Sequence, residues 1–274
     1  MIRDITLGQY FPGSSFLHKM DPRAKLLLII FYVVTLFLAK TLAAYAFLFV
    51  ATAGVIAATR ISPKFYLRGL KPLLFIMGFT AVLNMLYSDG EPLFSFWIFS
   101  VSWEGIFSAL FMVIRIVMMV LAMSVLTYTT SPLLLTGGLE RLMLPLSYLK
   151  VPVHDFAMMM TIALRFIPTL LEETEKIMNA QKARGADFES GSLIRRAKAM
   201  IPILIPLFVS AFRRAEELAV AMECRCYDGD FSGRTRFVEY RFSWRDLIGL
   251  IFCVSVISIT LILNGVTLLG GIGL

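Results

Sequence analysis

Hydrophobic residues in this chain gather into runs rather than alternating with polar ones. Five runs approach the length of a bilayer crossing: about Ala24 to Ala39, Leu42 to Thr59, Leu70 to Tyr87, Gly105 to Tyr128 and Leu247 to Leu269. A spanning helix needs about 20 apolar residues, so each run predicts a transmembrane helix. Two further apolar runs, Phe156 to Leu164 and Ala199 to Phe212, are bracketed by charge and too short to cross comfortably. Runs of that length mark buried or interfacial helices. In the first, Phe156, Met159, Ala163, Phe166 and Leu170 fall three or four apart, as on one helix face. Glu172, Glu173, Glu175 and Lys176 then turn the helix polar. Pro145, Pro152 and the Gly137–Gly138 pair are the expected breaks between these elements.

The charges between the runs predict an orientation. Arg3, Lys19, Arg23 and Lys25 precede the first run, and Arg60, Lys64, Arg68 and Lys71 separate the second from the third. Lys40 alone separates the first two, and the segment between the third and fourth carries Asp89 and Glu91 with no basic residue. Positive residues concentrate on the cytoplasmic side. The N-terminus is therefore expected inside, the C-terminus outside, and Ser131 to Asp246 in the cytoplasm. Trp97 and Trp103 flank an aromatic loop at the outer face, as an interfacial belt would. The expected fold is all-α: a polytopic membrane protein of about five transmembrane helices with a cytoplasmic module of long amphipathic helices. Its parts are a four-helix membrane bundle (1–130), the cytoplasmic helices (131–246) and a final transmembrane helix (247–274).

Composition agrees. The 274 residues are 58% hydrophobic and 16% charged, whereas soluble domains are nearer half apolar and about a quarter charged. Mean hydropathy is +0.78. A net charge of +7 could indicate nucleic acid, but positive cytoplasmic loops account for it better. Cys224 and Cys226 lie in a charged stretch and Cys253 in an apolar run, which gives no disulfide framework. No cleavable leader is evident at the N-terminus. His18 and His154 are isolated and read as structural. Arg115 lies inside the fourth run, where a charge is costly and often functional unless it can snorkel to an end.

A degenerate repeat marks the cytoplasmic region. Glu175 lies nine residues before Arg184 and Glu216 nine before Arg225, while Asp187 and Asp228 each follow their arginine by three. Each arginine sits between small residues, in Ala183–Arg184–Gly185 and Cys224–Arg225–Cys226. Gly185 predicts one helix stop, and Tyr227, Asp228 and Gly229 the other. Each arginine then occupies a last helical turn. It either compensates the negative end of the helix dipole or enters a partner's groove, where its planar fork can bind carboxylates. The paired occurrence suits a dimeric partner.

Several segments together resemble the transmembrane T component of energy-coupling factor (ECF) transporters. They are His18-Lys19-Met20-Asp21-Pro22-Arg23-Ala24-Lys25-Leu26-Leu27, Ala163-Leu164-Arg165-Phe166-Ile167-Pro168-Thr169-Leu170-Leu171-Glu172-Glu173, Gln181-Lys182-Ala183-Arg184-Gly185-Ala186-Asp187, Ala211-Phe212-Arg213-Arg214-Ala215-Glu216-Glu217-Leu218-Ala219 and Ala221-Met222-Glu223-Cys224-Arg225-Cys226-Tyr227. The resemblance implies a non-catalytic coupling subunit of an ATP-binding-cassette importer for vitamins or other micronutrients. Two ATPase subunits, holding ATP and Mg, would receive Ala183, Arg184, Gly185, Cys224, Arg225 and Cys226. A membrane-embedded, substrate-binding S component would be the other partner, and the chain itself would bind no cofactor, metal or nucleic acid. Cysteine replaces the small residues usual around the second arginine; being small and fairly apolar, it is compatible with docking. The sequence has no phosphate-binding loop ending in Gly-Lys-Ser/Thr. Met158, Met159, Met160 and Met178 are the expected S-component contacts, since Met-rich surfaces repack around different partners and would suit several exchangeable S components; ordinary core packing is the alternative for them. A self-sufficient secondary transporter or a membrane-embedded enzyme is the alternative function. The first has only Arg115 in its favour, and the second lacks clustered carboxylates outside the cytoplasmic stretch.

Overall fold

A computed structural model describes residues 10–87, 92–96, 99–188, 192–227 and 242–269. Its helices are α1 (Pro22–Leu38), α2 (Leu42–Thr59), α3 (Pro63–Leu70), α4 (Leu74–Tyr87), α5 (Trp103–Thr129), α6 (Pro132–Met143), α7 (Val153–Ala183), α8 (Leu193–Glu223) and α9 (Trp244–Leu269). The fold is all-α, apart from a small antiparallel hairpin of β1 (Pro92–Phe96) and β2 (Phe99–Ser102). That hairpin stands where the sequence predicts a loop; Trp97, Asp89 and Glu91 lie outside the described residues. The chain forms two compact units, one from 8–151 and 240–274, the other from 1–7 and 152–239.

Local chemistry sets the helix ends. Asp21, Thr41, Ser131 and Ser192 each accept a backbone N–H as N-caps of α1, α2, α6 and α8, and proline follows the cap in α1, α3 and α6. Both devices suit first turns, where N–H groups lack helical partners. The third apolar run starts earlier than predicted. Lys64 and Arg68 belong to α3, which buries Tyr66 and Leu70, and a 3-10 turn over Lys71–Leu73 links it to α4. Pro72 explains the interruption, since it cannot donate to the preceding turn. Pro145 and Pro152 do mark breaks, in a 3-10 turn and at the N-cap of α7. Gly137–Gly138 does not, for α6 runs through it. A Cβ on Gly138 would lie 2.9 Å from Cβ of Pro22, so that glycine lets α6 approach the start of α1.

Among the described residues, four stretches are long and apolar enough to cross a membrane: Leu42–Thr59, Pro63–Met85, Gly105–Thr129 and Trp244–Gly265. The 17-residue α1 is marginally shorter than the least of these. It nevertheless lies parallel to α9, which fastens it at both ends. At the N-terminal end, the Asp246 carboxylate accepts the backbone N–H of Asp21 at 2.8 Å and that of Ser243 at 2.7 Å. At the other end, Asn264 accepts the N–H of Lys40 at 3.1 Å and donates to the Leu38 carbonyl at 2.8 Å. Lys25, almost fully buried, donates to Thr130 Oγ1 at 2.8 Å and to the Thr129 carbonyl at 3.2 Å, tying α1 to the end of α5.

Two apolar cores fill the unit. Leu36, Ala39, Ala44, Tyr45, Leu48, Met118 and Val256 form one, and Tyr66, Val125 and Tyr128 the other. The second is sealed by the segment before α1. Phe11 donates its N–H to the Tyr128 carbonyl and packs its ring 4.6 Å from Phe65. His18 donates from Nε2 to the Phe11 carbonyl, leaving Nδ1 to accept from Ser15, so this histidine is structural. Outward faces are apolar, with Ile30, Phe31, Val34 and Phe37 about half exposed, as helices bathed in lipid require.

Replacing Asp246 with Ala strands two backbone donors and leaves Lys25 with Asp21 as its remaining carboxylate neighbour. This is expected to cost about 3 kcal/mol, read as a lower midpoint of thermal unfolding in detergent. Asp246→Asn, which keeps one acceptor oxygen, should recover part of the loss; an unchanged midpoint for Asp246→Ala would contradict the role given to this carboxylate.

Candidate docking site

The site is built on α7 and α8, each 31 residues long. The two helices finish in the same way. At the end of α7, the N–H of Gly185 bonds to the Lys182 carbonyl and that of Ala186 to the Gln181 carbonyl. At the end of α8, the N–H of Cys226 bonds to the Glu223 carbonyl and that of Tyr227 to the Met222 carbonyl. Each pair is a Schellman stop, which requires a left-handed residue after the cap. Gly185 has φ +88° and Cys226 has φ +58°. Arg184 and Arg225 therefore hold equivalent cap positions, and both are exposed.

The second stop differs from its prediction. The reversal is made by Cys226 itself rather than by the Tyr227–Asp228–Gly229 stretch, of which Asp228 and Gly229 lie outside the described residues. A side chain in the left-handed region costs roughly 1–2 kcal/mol. Cys224 and Cys226 are free, exposed thiols, and among the described residues no group of three or more His, Cys, Asp or Glu could hold a metal.

Two contacts fix the pairing of the helices. Arg214 reaches Glu173 at 3.3 Å, and the Tyr227 hydroxyl meets the Met158 sulfur at 3.1 Å. Moving back along α7 from Glu173 to Met158 corresponds to moving forward in α8, so the helices run antiparallel. Glu173 and Arg214 are 41 residues apart, the same offset as Arg184 and Arg225. The ion pair thus joins equivalent positions of the repeat and lies on its local two-fold. Each arginine is eleven residues beyond it, about 16 Å at 1.5 Å per residue. The arginines cap opposite ends of the pair, at most about 33 Å apart along the axes.

The predicted methionine contacts divide. Met159 and Met160 are exposed, Met178 is half-buried, and Met158 is engaged by Tyr227. Phe156 and Met159 open the face predicted for α7 and are both more than half exposed, while Val153 and Ala157 are buried. The larger apolar surface is on α8, within the Ala199–Phe212 run that the sequence marks as buried or interfacial without naming its residues as partner contacts. Ile203, Leu207, Ala211, Leu218 and Met222 make its more buried face. Ile201, Ile205, Phe208 and Phe212 form a second stripe, all about half exposed or more. Their spacing within the Ala199–Phe212 run is the signal that could have found them.

Arg115, in the other unit, donates from Nη2 and Nε to the Tyr45 hydroxyl at 2.6 and 3.1 Å. Its guanidinium lies 5.2 Å from the Phe37 ring centroid. It is thus held by a phenol and an aromatic face, which accommodate a cation within an apolar layer.

The left-handed stop predicts its own test. Cys226→Gly should stabilise the end of α8 by about 1 kcal/mol, and Gly185→Ala should loosen the end of α7 by a similar amount. Amide hydrogen exchange over the last turns reads both; equal protection in wild type and variants would refute the strain assigned to Cys226.

Residues 13–237 match the family described as cobalt transport protein, CbiQ. The chain is 52% identical over 248 residues to the energy-coupling factor transporter transmembrane protein EcfT of Ruminiclostridium cellulolyticum, covering 90% of this chain and 92% of that one. It is 50% identical to the EcfT of Clostridium kluyveri, with 94% and 98% covered, and 51% identical to that of Brevibacillus brevis, with 96% and 98% covered. With polytopic apolar helices carrying paired arginine-ended helices, the chain belongs to the EcfT/CbiQ family, the non-catalytic transmembrane coupling components of ECF transporters.

Proposed function

We propose that α7 and α8 dock through their arginine-bearing ends into a pair of ABC ATPase subunits. They pass the ATP-driven motion of that pair to a membrane-embedded S component that carries a vitamin or other micronutrient. The observation carrying this reading is the local two-fold: two chemically similar helix stops, presented at opposite ends of one antiparallel pair, complement two similar grooves on a dimer. Ala183, Arg184 and Gly185 enter one subunit, and Cys224, Arg225 and Cys226 the other. Each arginine projects where the helix leaves its chain, so the guanidinium can meet acceptors without competing helical neighbours. ATP and Mg belong to the ATPases.

The S component is assigned to Met159 and Met160 together with the Ile201, Ile205, Phe208 and Phe212 stripe; Met158 and Met178, predicted with them, are less exposed. Met side chains repack readily, which favours exchange among several S components. The distribution of basic residues supports an orientation with the N-terminus and residues 131–246 in the cytoplasm and the C-terminus outside. The membrane part then comprises 1–130 and 247–274, with α1 a fifth crossing beside α9.

Co-purification of the ATPases with wild type, Arg184→Ala, Arg225→Ala and the double variant tests the docking. An interface arginine of this kind contributes about 2 kcal/mol or more, so each single variant should weaken assembly and the double variant should abolish it along with uptake. Complete assembly and full uptake by the double variant would sink the assignment.

A further inference from the structure

α1 and α2 are joined at one end by a short turn through Ala39–Thr41, and their ends meet there in the core formed by Leu36, Ala39, Ala44 and Tyr45. The gap between them is a half-open cleft of about 570 Å³, floored by α5 and α9. Leu28 and Ile29 form one wall, Ala51, Gly54 and Ala58 the other. We infer that this cleft holds the acyl chain of one membrane phospholipid, from the leaflet on the side of the α1 N-terminus.

The cleft is dry by construction. Its polar lining groups are already partnered within the chain: Lys25 by Thr129 and Thr130, Thr35 by the Phe31 carbonyl, and Thr52 by the Leu48 carbonyl and the Tyr32 hydroxyl, which reaches across from α1. Each of these already has a partner within the chain, so hydrocarbon is the fitting occupant of the remaining space. Length agrees as well. The lining runs from Ile248 to Val256 on α9 and from Phe47 to Ala58 on α2, about 12 and 16 Å of helix. That is about half of the ~30 Å hydrocarbon layer, the depth of one leaflet.

At the open end, Lys19 and Arg60 are exposed beside the lining residues Met20 and Ala58, a setting that favours an anionic headgroup. The inference rests on these helices crossing the membrane. The orientation proposed above decides only that the leaflet is the cytoplasmic one.

Gly54 supplies the test. It lines the cleft, and a Cβ there would meet nothing within 4 Å, so the side chain of Gly54→Leu starts into open space. Gly78 on α4 is equally open and lies outside the cleft, which makes Gly78→Leu the matched control. The full chain is reconstituted in phosphatidylethanolamine–phosphatidylglycerol vesicles containing a phosphatidylglycerol with a photoreactive acyl chain, and labelled residues are mapped. Labelling should concentrate at Leu28, Val55 and Phe252, fall several-fold in Gly54→Leu and persist in Gly78→Leu. Labelling spread evenly onto the outward Phe31 and Val34, or undiminished in Gly54→Leu, would overturn the inference. So would crosslinks from the cleft to a partner polypeptide in the assembled transporter. The readout needs no ATPase, so its failure is distinct from failure of arginine docking.

Discussion

The membrane unit depends on one buried carboxylate. Asp246 stands in the first turn of α9, where a negative charge is favoured by the helix dipole, and accepts N–H groups from the starts of two helices. Charge-assisted bonds of this kind contribute about 1.5–3 kcal/mol each. Lys25, close to both Asp246 and Asp21, balances the charge and carries the connection on to α5. A residue near the end of the sequence thereby sets where the first helix begins, and α5 and α6 are hung from the same point.

A consequence of that arrangement is that α1 and α9 share one direction and one register. Asn264 repeats the device at the far end with neutral hydrogen bonds. Between the two clamps the apolar faces need only be compatible with lipid, which is why so many large side chains of α1 and α9 can remain exposed. The α1–α2 cleft persists for the same reason: α1 is held by its ends and does not require α2 along its whole length.

The apolar runs exposed most of the fold to a reader of the sequence, because a membrane crossing needs sustained hydrophobicity that few other constraints mimic. The helix-ending arginines were legible too, since Gly185 announces a stop. Cys226 was not, for nothing in a cysteine advertises a left-handed backbone. Lys25 read as one of several positive-inside charges and Asp246 as a mere boundary, because their roles depend on contacts more than 100 residues apart. Gly137–Gly138 read as a break because sequence does not reveal that Pro22 needs room beside it. The apolar stripe on α8 was blurred by its neighbour: its spacing is present in the run, but apolar residues on a second face stop it from standing out.

Glu173 and Arg214 are each about a third exposed, and such pairs contribute little to stability, about 0–1 kcal/mol. On the proposed docking, their position would make them mechanical rather than cohesive. They mark the fulcrum of a pair of scissors whose arms are equal, because the repeat places both arginines eleven residues away. Rotation of one helix against the other by about 10° about that point moves each tip by about 3 Å, in opposite senses, for arms of about 16 Å. On the proposed docking, a joint this weak would let the blades turn, and equal arms would share the stroke evenly between the two tips.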